Sequence, residues 1–297
     1  FLVVRVDGDE QQVHGVVPVE GLENVDPAGG HEAAPVLLQG GGQAWRTYAE
    51  GHHAVVFIHD EAGGVGIDEG RKLGGVLFDL AVREIHRGYR AAGCDILTAN
   101  TFGANRFKYD HLQEIVEAAV KNAKKAAEEC GRNAYVALDL GPTGKLLKPM
   151  GTLDFEEAVS VYAEVVKIGA AAGADLILIE TMSDTYELKA AVLAAKENSD
   201  LPVVATVVFD ESHKMLTGAS SEVVVAMLEG LRVDALGMNC GLGPKQMKPI
   251  FEKMAKLSSL PLVITPNAGL PRTENGKTVY DVDPEEFAAD VEEIIRM

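Results

Sequence analysis

Cys240 lies in ALGMNCGLGP, residues 235–244, where an apolar run ends in Asn239 and a thiol and then breaks into Gly-Leu-Gly-Pro. A thiol at a strand end with glycines around it has room to work as a nucleophile or as a metal ligand. An unpaired cysteine is also an ordinary small core residue. A nucleophile needs a base beside it, and His213, the one histidine beyond residue 111, carries no mark of such a partner. A zinc ligand needs company, because protein zinc sites use three or four donors. The chain has three cysteines; Cys94 at a strand start and Cys130 near a helix end are read as structural. Glu180 closes ADLILIE (174–180), and a carboxylate there can hold an ammonium group. Asp139 in DLGPTG, Asn267 in TPNAG and the Asn100-Thr101 pair end their own apolar runs in the same way. For each of these, turn chemistry is the plain alternative.

The elements that must position these side chains are legible from residue 76 onward. VLFDLAVREIHRGYRAAG (76–93) has the period of an amphipathic helix and closes on Gly93. CDILTAN, AYVALDLG, ADLILIE, LPVVATVVF, VDALGMN and LPLVITP follow as buried strands, each succeeded by a helical segment. Asp154 is placed to cap the helix that starts at Phe155. Six strand–helix units with near-continuous apolar strands predict a parallel sheet. GxGxxG after the first clear strand and GxxxxGK[ST] are both absent. Six strand ends in a row carry Asn100-Thr101, Asp139, Glu180-Thr181, Asp210, Asn239-Cys240 and Asn267. That pattern favours the common rim of a (β/α)8 TIM barrel over an open doubly wound sheet. Residues 1–75 are different: glycine-dense, with five of the eight histidines and no period linking strands to helices. We leave 1–75 unassigned and take 76–297 as the barrel domain.

A chain of 297 residues with a net charge of −18 has a large core and no basic surface for a phosphate backbone, so no nucleic-acid partner is expected. No apolar run reaches the length of a membrane span. Sparse, widely spaced cysteines point to a reducing, cytoplasmic setting.

The blocks ILTANTFGANRFKY (96–109), DLGPTGKLLKPMG (139–151), LIETMSDTYELKAAVLAAKE (178–197), TVVFDESHKMLTG (206–218), DALGMNCGLGP (234–244) and PNAGLPRTENGKTVY (266–280) resemble, in order, the homocysteine-binding domain of homocysteine S-methyltransferases. The likeness is strongest to the N-terminal module of cobalamin-dependent methionine synthases. It implies a (β/α)8 barrel in which zinc, held by three cysteines, keeps homocysteine as a thiolate that takes a methyl group. On the matching positions it implies Cys240 as a zinc ligand and Glu180 as the receiver of the amino group. Asn267, Asn100, Thr101 and Asp139 would line the pocket. The implied donor is methylcobalamin, recharged from methyltetrahydrofolate by folate- and cobalamin-binding modules. S-methylmethionine- or betaine-dependent transfer and a non-catalytic barrel remnant are the alternatives. The family's adjacent Cys-Cys pair after the eighth strand is absent before Met297, and HDEAGG (59–64) is a poor match for its first-strand Asp-Gly turn. The expectation is therefore an incomplete barrel with an aberrant first strand and a missing eighth. Its two exposed edges and single zinc-binding thiol would make a weakly active or inactive fragment.

Overall fold

Leu176–Met182 shows how the strands are built: every position but Thr181 is buried, and alternate side chains face opposite sides of the sheet. One set of alternating residues, Ile96, Ala137, Leu176, Leu178, Val204, Ala235 and Val263, forms its own apolar cluster. The other set, including Leu97, Leu138, Ile177, Ile179, Ala205 and Leu236, packs with helix residues in a larger core. A cluster made of strand residues alone on one face, with helices packed on the other, is the mark of a sheet curled around an interior and covered outside by helices.

The structure is a computed structural model and describes residues 2–4, 13–18, 45–49, 57–58, 75–129, 134–269, 272–274, 277–279 and 282–297. Cys130 and the HDEAGG stretch lie outside the described residues. In chain order the strands are β1 (Leu2–Val4), β2 (Val13–Pro18), β3 (Trp45–Ala49) and β4 (Phe57–Ile58). Alternation then begins: α1 (Gly75–Ala91), β5 (Ile96–Thr98), α2 (Leu112–Glu129), β6 (Tyr135–Leu140), α3 (Phe155–Ala171) and β7 (Leu176–Met182). It continues with α4 (Thr185–Asn198), β8 (Val203–Val207), α5 (Ser221–Gly230), β9 (Ala235–Asn239), α6 (Pro244–Leu257) and β10 (Leu262–Thr265). β11 (Arg272–Glu274) and β12 (Lys277–Val279) form a small antiparallel pair before α7 (Pro284–Ile295), and β2 pairs with β3 in another.

The main sheet has the order β1-β10-β9-β8-β7-β6-β5-β4. β4 through β10 run parallel, and β1 lies antiparallel on β10. This is the incomplete barrel expected from the sequence. The two-residue β4 beside β5 is the aberrant first strand, and no eighth parallel strand follows β10 among the described residues; what differs from expectation is that β1 covers the β10 edge expected to be bare.

At the starts of the strands a device occurs twice. The Asp175 carboxylate accepts the Val136 backbone N–H at 2.7 Å and the Lys124 ammonium at 2.6 Å. The Asp234 carboxylate accepts the Val203 backbone N–H at 2.7 Å and the Lys196 ammonium at 2.8 Å. Each aspartate fastens its own strand to the strand before it and to a helix. Gly93, at φ 107°, ends α1 as the sequence predicts. Asp154 does occupy the N-cap position of α3, but its carboxylate pairs with Lys148 at 3.0 Å and makes no cap hydrogen bond.

Candidate functional site

The interior cluster stops two to four residues short of the strand ends. With a period of two, the next interior position on each strand is Thr98, Asp139, Glu180, Thr206 and Thr265, and on β9 it is Gly237 and then Asn239. Every strand from β5 to β10 therefore places a polar side chain at one level, at the C-terminal mouth. Glu180, Thr206 and Asn239 are fully buried, and Asp139 and Thr98 are nearly so. Asp139 and Glu180 come together: burial first, and then the charge of Glu180 beside it, push the Asp139 carboxyl well above its ordinary range. Two buried carboxyls side by side titrate as a unit and resist double ionisation.

Asp139 is held from behind. The Thr101 hydroxyl donates to the Asp139 carbonyl at 2.8 Å and accepts its N–H at 3.0 Å, so Thr101 acts on the Asp139 backbone. Asn100, one residue earlier, is exposed. The loop after β6 is anchored by buried Glu187 of α4, whose Oε1 accepts the Thr143 N–H at 2.8 Å, the Thr143 hydroxyl at 2.7 Å and the Tyr162 hydroxyl at 3.0 Å. Burial and Glu187 push the Tyr162 phenol well above its usual range, so it remains a donor. Gly141 follows in that loop, and a Cβ there would meet the Phe102 ring at 2.4 Å.

Cys240 stands just past β9 at φ 56°, half-buried, with its N–H on the Thr265 carbonyl at 3.0 Å. Asn239 Nδ2 donates to its sulfur at 3.3 Å and to the Thr181 hydroxyl at 2.7 Å. The thiol and the Glu180 strand end thus share one mouth and one bridging side chain. Asn267 is half-buried on the loop after β10, its N–H on the Leu242 carbonyl at 2.9 Å, next to the Cys240 turn. Asp210, read as the fourth strand end, lies beyond the ring. It is exposed, and its Oδ1 accepts from the Ser212 N–H, the Ser212 hydroxyl and the Lys214 N–H. Thr98, Thr206 and Thr265 were missed, although the alternation inside each apolar run points to them.

Among the described residues no group of three or more His, Cys, Asp or Glu side chains could hold a metal ion. Cys94 is fully buried just before β5, at the opposite end of the strands. Cys240 is then the one described thiol at the mouth, and the described donor set does not by itself fit zinc.

The family model for homocysteine S-methyltransferase matches residues 56–297. Methionine synthase from Mycobacterium tuberculosis is 32% identical over 218 residues, covering 69% of this chain and 18% of that protein. Its Mycobacterium leprae counterpart is 31% identical over the same shares. The chain thus spans less than a fifth of the length of these relatives. The homocysteine methyltransferase MmuM from Escherichia coli, in its apo form, superposes with a TM-score of 0.56 at 24% identity, covering 68% of this chain and 76% of that one. At that identity the likeness speaks for the fold. With the incomplete barrel, the polar ring and the long family match agreeing, this chain belongs to the homocysteine S-methyltransferase family.

Proposed function

We propose that this domain, with 76–297 as its working unit, binds homocysteine at the C-terminal mouth and presents its thiol for methylation to methionine. The observation that carries the reading is the ring of buried polar side chains around Glu180, with Cys240 on the same rim. Glu180 and Asp139 receive the substrate ammonium, because a cation relieves two buried carboxyls of each other's charge. Asn267 and Asn100 line the outer pocket, and Thr101 works through the Asp139 backbone. In the transfer, the thiol proton passes to water, a sulfur electron pair forms the S–CH3 bond, and the bond from methyl to donor breaks with its pair staying on the donor. Likeness to methionine synthases supports methylcobalamin as the donor, charged from methyltetrahydrofolate on folate- and cobalamin-binding modules. A reducing cytoplasm suits a working thiol.

Zinc is the family's means of making the thiolate, and Cys240 is the residue that would touch it. Since the described donors do not fit the ion, no step here runs through it. We infer that this chain by itself binds zinc weakly and turns homocysteine over slowly; tight one-to-one zinc binding would reject that.

Calorimetry tests the substrate assignment. Homocysteine is expected to bind at least about tenfold more tightly than 4-mercaptobutanoate, which lacks the amino group. Glu180→Gln is expected to weaken homocysteine binding by about thirtyfold or more. Equal affinity for the two thiols, or an unaffected variant, rejects the reading.

A further inference from the structure

Asn239 belongs to the polar ring but has no substrate contact assigned to it, and its carboxamide joins three strand ends. Its Oδ1 accepts the Thr181 backbone N–H at 2.9 Å and the Thr206 hydroxyl at 2.9 Å. Its Nδ2 donates to the Thr181 hydroxyl at 2.7 Å and to the Cys240 sulfur at 3.3 Å. A backbone N–H can only donate, so the oxygen must face Thr181 N and the amide nitrogen is turned toward sulfur. Both residues it grips sit at positive φ, Thr181 at 60° and Cys240 at 56°. That region is costly for residues with side chains, most of all for a β-branched one, and it persists only where the surroundings impose it. β7 and β9 are not neighbours, because β8 lies between them. The Asn239 side chain reaches past β8, held on the way by Thr206, and ties the residue after Glu180 to the sulfur of Cys240.

We propose that Asn239 is a positioning residue that fixes the Cys240 sulfur relative to the strand end bearing Glu180. It thereby sets the gap between the two ends of the amino-acid thiol that the mouth receives. The inference rests on the homocysteine reading for its substrate, but on the contacts of Asn239 alone for its geometry.

The test is the rate at which iodoacetamide alkylates Cys240 at one fixed neutral pH, read on the Cys240 peptide by mass spectrometry. Asn239→Asp keeps an oxygen for Thr181 and Thr206, removes the N–H aimed at sulfur and sets a negative charge beside it; the rate is expected to fall about tenfold. Thr206→Val keeps the volume but releases Oδ1, and is expected to slow the reaction about threefold. Thermal midpoints report whether each variant is folded. An unchanged rate in folded Asn239→Asp overturns the proposal. Loss of fold in both variants overturns it too, by making the contact purely structural. Excess homocysteine, with the Cys240 rate normalised to a free-thiol peptide in the same mixture to correct for the reagent that homocysteine consumes, examines the parent reading separately. Protection of Cys240 in the unaltered chain supports that reading. Absence of protection, with the expected rates in the variants, rejects homocysteine and upholds the positioning role.

Discussion

A carboxyl buried against another carboxylate resists ionisation, and Asp139 is that residue here. The folded protein favours its protonated form, while the unfolded chain gives up the proton near 3.8. The folded state therefore binds more protons above that value, and stability falls as pH rises through the interval up to the raised folded value. Asp139→Asn removes this slope. Its melting temperature should match that of the parent near pH 4 and exceed it increasingly toward neutrality; parallel curves across that range would refute the assignment. Asp139, Glu180 and Cys240 were legible in the sequence because each stands where an apolar run stops. Thr98, Thr206 and Thr265 were not, because each sits inside or at the close of a run and reads as a β-branched strand former. Asp210 misled for the converse reason: VVATVVF continues past the ring, so the residue that halts it belongs to a turn.

At the scale of elements, α1 carries a histidine that its surroundings keep neutral. His86 is 6% exposed, and burial lowers its pKa from 6.5 to about 4. Here the unfolded state binds more protons between those two values, so stability present above pH 6.5 is lost as the solution is acidified toward 4. The loss amounts to about 3 kcal/mol, and His86→Leu should abolish it in denaturant titrations at pH 7 and pH 4.5. β9 has a different constraint. A Cβ on Gly237 would lie 1.8 Å from the Val263 carbonyl oxygen of β10, a backbone atom that cannot swing away. Gly237→Ala should cost about 3 kcal/mol of stability or prevent folding; an unaltered denaturation midpoint would contradict that close approach. The helices and six strands from residue 76 onward were readable because their periods are long and regular. β4 is only Phe57–Ile58, too short for any period to show, so the first-strand position was found by its partner β5.

For the whole molecule, the order of the sheet leaves β1 and β4 at its two ends. β1 shields the β10 backbone through Leu2–Ile264, Val3–Val263 and Val4–Leu262. Deleting residues 1–4 should uncover a strand edge and promote self-association, seen as concentration-dependent sedimentation absent from the full chain; identical sedimentation would mean that the edge is protected by other means. The twin aspartate fasteners at the other end of the strands have a consequence for motion. Asp175 locks β6 to β7 and Asp234 locks β8 to β9, while the β7–β8 seam has no such lock among the described residues. Slow amide exchange should therefore come apart in couples, β6 with β7 and β8 with β9, with the first breathing of the wall along the line between them. That line runs up to Thr181 and Thr206, so the seam most ready to open lies directly below the one amide that staples it at the top.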